Sequence, residues 1–203
     1  MPNWCENSLS IYNPKVFKEK CMKDGKFQFN NIVPQPEHVR VYNDLGMSES
    51  DEKLIRDSGV KPESLKNGEE LVNGFFHPHV IDFMYAKDWL DSEAERTGVA
   101  SQDWYGWNCK NWGTKWDLDL DGDEVDEEEL ENALKDDSQF DLFFSTAWAP
   151  PLPILEKMAE LGVEFDWHCE EGGCEIYMEG HSDGESFSCW DCDPPKEEDD
   201  EEE

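Results

Sequence analysis

Asp117, Asp119 and Asp121 alternate ahead of Gly122, Asp123 follows, and Glu128 stands at the twelfth position of the same run. This satisfies the calcium-loop spacing D-x-[DN]-x-[DN]-G-x5-E, in which the early carboxylates and the last one close around a hard cation and the glycine makes the sharp turn. Two features of context argue against it. Position eight is Glu124 where an aliphatic residue would pack, and Trp112 to Trp116 does not read as an entering helix. A window this acidic also produces the pattern by composition alone. The competing reading is a solvated acidic loop, with Glu127 to Lys135 forming a short helix after it.

Cys189-Trp190-Asp191-Cys192 has the spacing of a zinc half-site, and Cys169, Cys174, His168 and His181 fall on neighbouring expected strands. A single CxxC lacks the second pair of the usual signature. Cys169 and Cys174 share the alternation of Val163, Phe165, Ile176 and Met178, so small core residues are the simpler reading. His77-Pro78-His79 opens a helix and has no companion ligand near it. The segment Trp104 to Trp112 offers either an aromatic recognition surface or core packing, with packing favoured. No nucleophile elbow, phosphate-binding glycine loop, dinucleotide fingerprint or H-E-x-x-H is present, so enzymatic chemistry has no motif behind it.

Charge narrows the partners. Fifty acidic residues face seventeen basic ones among 203, a formal net charge of -33. Ten of the acids lie between Asp117 and Glu131 without a Lys or Arg, and nine more lie in the tail from Asp191 to Glu203. The remainder is still net negative, whereas holding a phosphate backbone requires Lys and Arg. Direct nucleic-acid binding is therefore disfavoured. The favoured function is a non-enzymatic accessory protein that binds a basic protein, such as a nucleic-acid-binding or host defence protein, with Asp117, Asp119, Asp121, Asp123, Glu124, Glu127 and Glu128 as its contacts and imitation of a nucleic acid's charge as a further expectation. The alternatives are a Ca²⁺-regulated binding module using Asp117, Asp119, Asp121, Asp123 and Glu128, and a cryptic enzyme. A zinc site at Cys189 and Cys192 is the least supported, and no cofactor is expected.

The elements that would position these residues follow from periodicity. Cys5, Asn7, Leu9 and Ile11 alternate as a first strand that ends at Asn13-Pro14, and Lys15 to Lys23 follows as a helix carrying Val16, Phe17 and Cys21. Asp24-Gly25 precedes a second strand expected around Phe27 and Phe29. Residues 38–75 read as polar loop with short helical pieces, and Pro78 starts a helix with Val80, Phe83, Met84, Leu90 and Ala94, stopped by Gly98. Phe140 to Trp148 reads as a buried central strand. A helix follows, with Pro151 and Pro153 in its first turn and Ile154, Leu155, Met158 and Leu161 as its stripe up to Gly162. Val163 to Cys169 alternates strictly, Glu170-Glu171-Gly172-Gly173 turns the chain, and Ile176 and Met178 continue the inner face. A last strand is expected at Ser186 to Trp190. This order predicts an α+β domain with a mainly antiparallel sheet and helices on one face. It spans residues 1–190, with an insertion at about 38–110, an acidic loop at 117–137 and a disordered acidic tail at 191–203.

Three segments carry a resemblance: Met1-Pro2-Asn3-Trp4-Cys5-Glu6-Asn7, Asn111-Trp112-Gly113-Thr114-Lys115-Trp116-Asp117, and Ser145-Thr146-Ala147-Trp148-Ala149-Pro150-Pro151. With Phe29 to Pro36 and the Glu170 to Gly173 turn, they resemble the YubB-like family of phage and plasmid proteins over most of residues 1–180. The resemblance implies a ferredoxin-like βαββαβ core in a protein of a mobile genetic element and brings no catalytic residues with it. The chain departs from that pattern in the acidic stretch after Trp116 and in the tail. The odd number of cysteines, with no apolar leader and no long apolar stretch, leads to the expectation of a protein of the cytoplasm, the host's if phage-encoded.

Overall fold

The computed structural model describes residues 3–45, 78–118, 125–173 and 175–194. In chain order the elements are β1 (Trp4–Ile11), α1 (Pro14–Cys21), β2 (Met22–Lys23), β3 (Lys26–Phe27), α2 (Phe29–Ile32), α3 (Glu37–Asp44), α4 (Pro78–Thr97), α5 (Trp104–Asn111), α6 (Glu127–Asp136), β4 (Phe140–Ala147), α7 (Leu152–Glu160), β5 (Glu164–Glu171), β6 (Ile176–Asp183) and β7 (Phe187–Asp191). The chain divides into two compact units. One is residues 1–34 with 108–203, and the other is Gln35–Trp107.

The first unit is built on a five-stranded sheet of order β4-β1-β5-β6-β7, antiparallel throughout. Period-two patterning decides which face is buried. Cys5, Leu9 and Ile11 of β1, Phe140, Leu142 and Phe144 of β4, and Phe165, Trp167 and Cys169 of β5 all lie inward. Phe17 and Cys21 from α1, Leu130 and Ala133 from α6, and Ile154, Leu155 and Met158 from α7 complete this core. Pro14 opens α1 and prolines occupy the entry to α7, where a missing N–H costs nothing. β4 and β5 both run antiparallel to β1, which lies between them, and α7 makes the crossover. This interleaved strand–helix–strand unit, with helices on one face, is the α+β, ferredoxin-like arrangement expected from the sequence.

Two expectations are corrected. The strand expected around Phe27 and Phe29 does not join the sheet. Asp24 and Gly25 both have positive φ (52° and 78°), the two-residue hairpin turn that returns the chain at once, so β2 and β3 pair only with each other. Phe29 instead starts α2, and both rings join an aromatic cluster with Phe17, Phe140, Phe144 and Trp112. The sheet gains its width on the other side, from β6 and β7. Phe140 to Trp148, read as a buried central strand, forms an edge strand over Phe140–Ala147: Phe143 is 65% exposed and Ser145 is exposed as well. A continuous apolar run records residue type and leaves the second face undecided.

In the second unit α3 sets Val39 and Tyr42 inward, Leu90 of α4 is buried, and Ser101 Oγ donates to the Leu90 carbonyl. Gly98, at φ +71°, ends α4 where the sequence placed the stop. Among the described residues, no helix is long and apolar enough to cross a membrane.

Candidate functional site

The acidic stretch opens on a residue that belongs to the fold. Asp117 Oδ1 accepts from the amides of Phe29 (2.7 Å) and Leu118 (2.9 Å), and Oδ2 accepts from Asn30 N (3.1 Å). The carboxylate thus caps the start of α2, and burial outweighs these bonds to push its pKa up. Asp119, Asp121, Gly122, Asp123 and Glu124 lie outside the described residues, as do Cys174, His77 and the tail from Pro195. Asp126 is the N-cap of α6, accepting from Glu129 N at 2.9 Å, and Glu127, Glu128 and Glu129 fill its first turn, where carboxylates favour the helix dipole. They are exposed, and helix electrostatics already accounts for their clustering.

The zinc set is dispersed by strand alternation. Cys169 is fully buried against the helices while His168, next to it, faces the opposite side. Cys189 pairs with Gly180 and so has the parity of Cys169, whereas His181 has the parity of His168. Among the described residues, no three His, Cys, Asp or Glu side chains are grouped to hold a metal ion. In the tryptophan-rich segment Trp112 is core, Trp104 and Trp107 are half-buried, and Tyr105 is exposed.

The three segments that carry the family resemblance converge on one end of the sheet. Asn7 Nδ2 donates to Cys5 O (2.9 Å) and Thr146 Oγ1 (3.0 Å), while its Oδ1 accepts from Trp167 Nε1 (3.1 Å). Thr146 Oγ1 donates onward to Ala149 O, Thr114 Oγ1 donates to Ala147 O, and Trp148 N donates to Asn3 O. Trp112 Nε1 reaches Val33 O, and Trp4 lies 6.3 Å from Trp116 between ring centroids. Gly113 sits at φ +82°, and a Cβ there would approach Pro153 Cδ to 2.7 Å, so the segment passes the α7 entry only as glycine. These conspicuous residues hold the structure together.

Chemistry gathers instead on the face of the sheet opposite the helices. The registers align Phe143, Ser8, His168, Glu179 and Trp190 in one row across all five strands, and Asp141, Ser10, Asp166, His181 and Ser188 in the next. Serines on β1 make a low floor between taller side chains. A trough of ≈ 330 Å³ lies there, lined by Ser8, Ser10, Asp166, His168, Glu179 and Trp190 together with Trp167 and Gly180. Asp166 Oδ1 is 2.7 Å from His181 Nδ1, and its Oδ2 accepts from the Tyr12 hydroxyl. Ser10 Oγ donates to Asp141 Oδ1 at 2.8 Å, and Trp190 Nε1 donates to Glu179 Oε2 at 3.3 Å. The Tyr12 hydroxyl, and secondarily His181, hold the Asp166 carboxyl below the usual carboxylate range, while that carboxylate raises the tyrosine.

The sign of this coupling gives a direct test. A depressed carboxyl contributes stability that is present above its ordinary pKa and is lost as pH falls through the folded value. Tyr12→Phe removes the leading cause, so the Asp166 titration followed by carboxyl ¹³C NMR should move up toward the ordinary range. An unmoved titration would show that the hydroxyl does not hold it.

Comparison with known proteins speaks to the fold. Residues 127–203 match the family described as the ferredoxin-like domain in Api92-like protein. The C-terminal part of the chain is ferredoxin-like. The match takes in α6 through β7, which contains four of the five sheet strands. It names an Api92-like domain where the sequence resemblance named the YubB-like family, and a ferredoxin-like domain is what the two readings share. Among solved structures, the crystal structure of a protein api92 from Yersinia pseudotuberculosis is similar at 11% identity, covering 97% of this chain and 100% of that one with a TM-score of 0.41. No curated protein matches the chain.

The sequence reading named His168, His181 and Cys189-Trp190 only for zinc, and left Tyr12, Asp166 and Glu179 without a role. One signal was within reach: none of the five strands of the sheet contains a lysine or arginine.

Proposed function

We propose that the protein is a non-enzymatic binding module whose partner is a basic protein surface, with the open sheet face as the ordered contact surface. The observation that carries this reading is the unneutralised charge of that face. Glu6, Asp141, Glu164, Asp166, Glu170, Glu179 and Asp183 all project from it, and its strands supply only His168 and His181 as cationic groups. Most described lysines of the same unit lie on helices or the small hairpin (Lys15, Lys18, Lys20, Lys23, Lys26, Lys110, Lys135 and Lys157), while Lys115 sits over the Trp116 ring beside Trp4 at one end of the face. A field of one sign on one face steers an oppositely charged partner and sets its orientation. Asp119, Asp121, Asp123, Glu124, Glu127 and Glu128 add to the long-range attraction, while Asp117 is taken up by α2. Imitation of a nucleic acid, and a setting in a phage or other mobile element within the cytoplasm, belong to the same proposal.

Two charge-neutralised proteins test it against a basic DNA-binding protein and against poly-arginine. In one, Glu6, Glu164 and Glu170 become Gln and Asp183 becomes Asn; in the other, Glu127 and Glu128 become Gln and Asp119, Asp121 and Asp123 become Asn. Anisotropy at low salt should show the open-face set weakening binding by about tenfold and flattening its salt dependence. Duplex DNA should compete with the parent protein for the DNA-binding partner. Affinity unchanged by either set would overturn the electrostatic reading.

A further inference from the structure

The basic-partner reading leaves open which chemical group the face recognises, and the trough answers it. We propose that the trough on the open sheet face is a receptor for an arginine side chain presented by a basic polypeptide, with Glu179 and Asp166 accepting from the guanidinium and the Trp190 indole stacking on it. This inference rests on the proposed function and adds a site to it.

The lining is rich in acceptors. Glu179 and Asp166 each have two oxygens, with about four lone-pair positions per carboxylate against the single bond from Trp190 Nε1 to Glu179 and the two from Tyr12 and His181 to Asp166. Ser10 gives its hydrogen to Asp141 Oδ1, which turns its oxygen lone pairs toward acceptor duty. A surface of this kind complements a group that only donates, and guanidinium offers five N–H donors and no acceptor. The aromatic wall then separates arginine from lysine. Trp190 is 48% exposed at the margin of the trough, and a planar, weakly hydrated guanidinium stacks on an indole where a compact ammonium keeps its water. The volume of ≈ 330 Å³ is at the small end of the range of ligand sites and suits one long side chain.

The surroundings argue for a polypeptide over a free small cation. Glu6 and Glu170 lie beyond one end of the two serine rows, and Glu164 and Asp183 beyond the other, so basic residues flanking the anchored arginine meet carboxylates in both directions. Asp166 is held in place before binding by its two partners, which lowers the ordering cost of the site.

The test uses the full chain and two capped heptapeptides, one alternating glycine and arginine and its glycine–lysine counterpart, followed by ¹H–¹⁵N NMR. The arginine peptide should shift the Trp190 indole resonance saturably and bind about fivefold more tightly than the lysine peptide. Glu179→Gln should weaken arginine binding by about tenfold, and Trp190→Leu should erase the preference over lysine. Binding of both peptides with equal strength, and without a localised response at Trp190, would overturn the arginine receptor while leaving the basic-partner reading in place. Binding of neither peptide at low salt would overturn both.

Discussion

Replacing Asn7 by Ala is expected to lower the unfolding free energy by about 3 kcal/mol, because it leaves the buried indole N–H of Trp167 without its acceptor and takes a donor from both Thr146 Oγ1 and the Cys5 carbonyl. Asn7 is 3% exposed, and the two side chains that it bonds are each 2% exposed: Trp167, whose indole N–H it accepts, and Thr146, whose hydroxyl it donates to. Water has no ready access to either. The lost amide also leaves the Cys5 carbonyl without that donor. Urea denaturation should show a lower midpoint at an unchanged slope, the mark of a stability change without a change in the surface exposed on unfolding. The double substitution Asn7→Leu with Trp167→Phe separates orphaning from lost packing. It removes donor and acceptor together, so its cost should fall well below the sum of the single substitutions. Full additivity would mean that the pair does not interact, and a cost under about 1 kcal/mol for Asn7→Ala would mean that another group satisfies the indole.

The contrast between Asn7 and the open face explains what a sequence can disclose here. Alternation in β1 and β5, the prolines at the α7 entry and the glycine after α4 are local signals, and each produced an element where it was expected. Phe27 and Phe29 were misread because two apolar residues spaced by one fit a strand, while the group that turns Phe29 into a helix start is a carboxylate 88 residues away. The acidic stretch drew attention as a calcium pattern or partner surface by residue type. Its first member is satisfied by distant amides, and Glu127 to Glu129 answer to a helix terminus. Conversely, Ser8 and Glu179 are unremarkable along the chain, and the residue types of His168 and the Trp190 segment point only to zinc. Their row exists only once three strand registers are set, and register comes from long-range pairing and the shared buried face. The alternation did reveal that His168 and Asp166 point away from the core, which is half of the site. The other half is tertiary.

Asp117 provides the second large effect, and its two simplest substitutions should diverge. Asp117→Ala leaves the amides of Phe29, Asn30 and Leu118 without the acceptor that gathers them, in a half-buried setting where water replaces it poorly. Hydrogen bonds to a charged acceptor are worth roughly 1.5–3 kcal/mol. With three donors affected and the α2 start loosened, a loss of about 3 kcal/mol is expected, and Phe29, fully buried against Phe27, Phe144 and Trp112, should lose protection with it. Asp117→Asn keeps an oxygen for Phe29 and Leu118, and it relieves the burial of charge that pushes the carboxyl pKa up. It sets an amide group against Asn30 N, so it should cost about 1 kcal/mol and no more than half of the alanine effect. The pH dependence carries the same sign. A carboxyl whose folded pKa is raised binds its proton more readily in the native state, so its own contribution to stability declines as pH rises from the ordinary carboxylate range through the folded value. In Asp117→Asn that decline should vanish. Thermal unfolding across this pH range compares the two proteins directly, and an identical profile for parent and Asp117→Asn would show that burial does not govern this group. A calcium loop requires the opposite, since its first aspartate must face the cation with its charge available. Substitution of Asp117 that weakened Ca²⁺ binding while sparing stability would return the acidic stretch to chemistry.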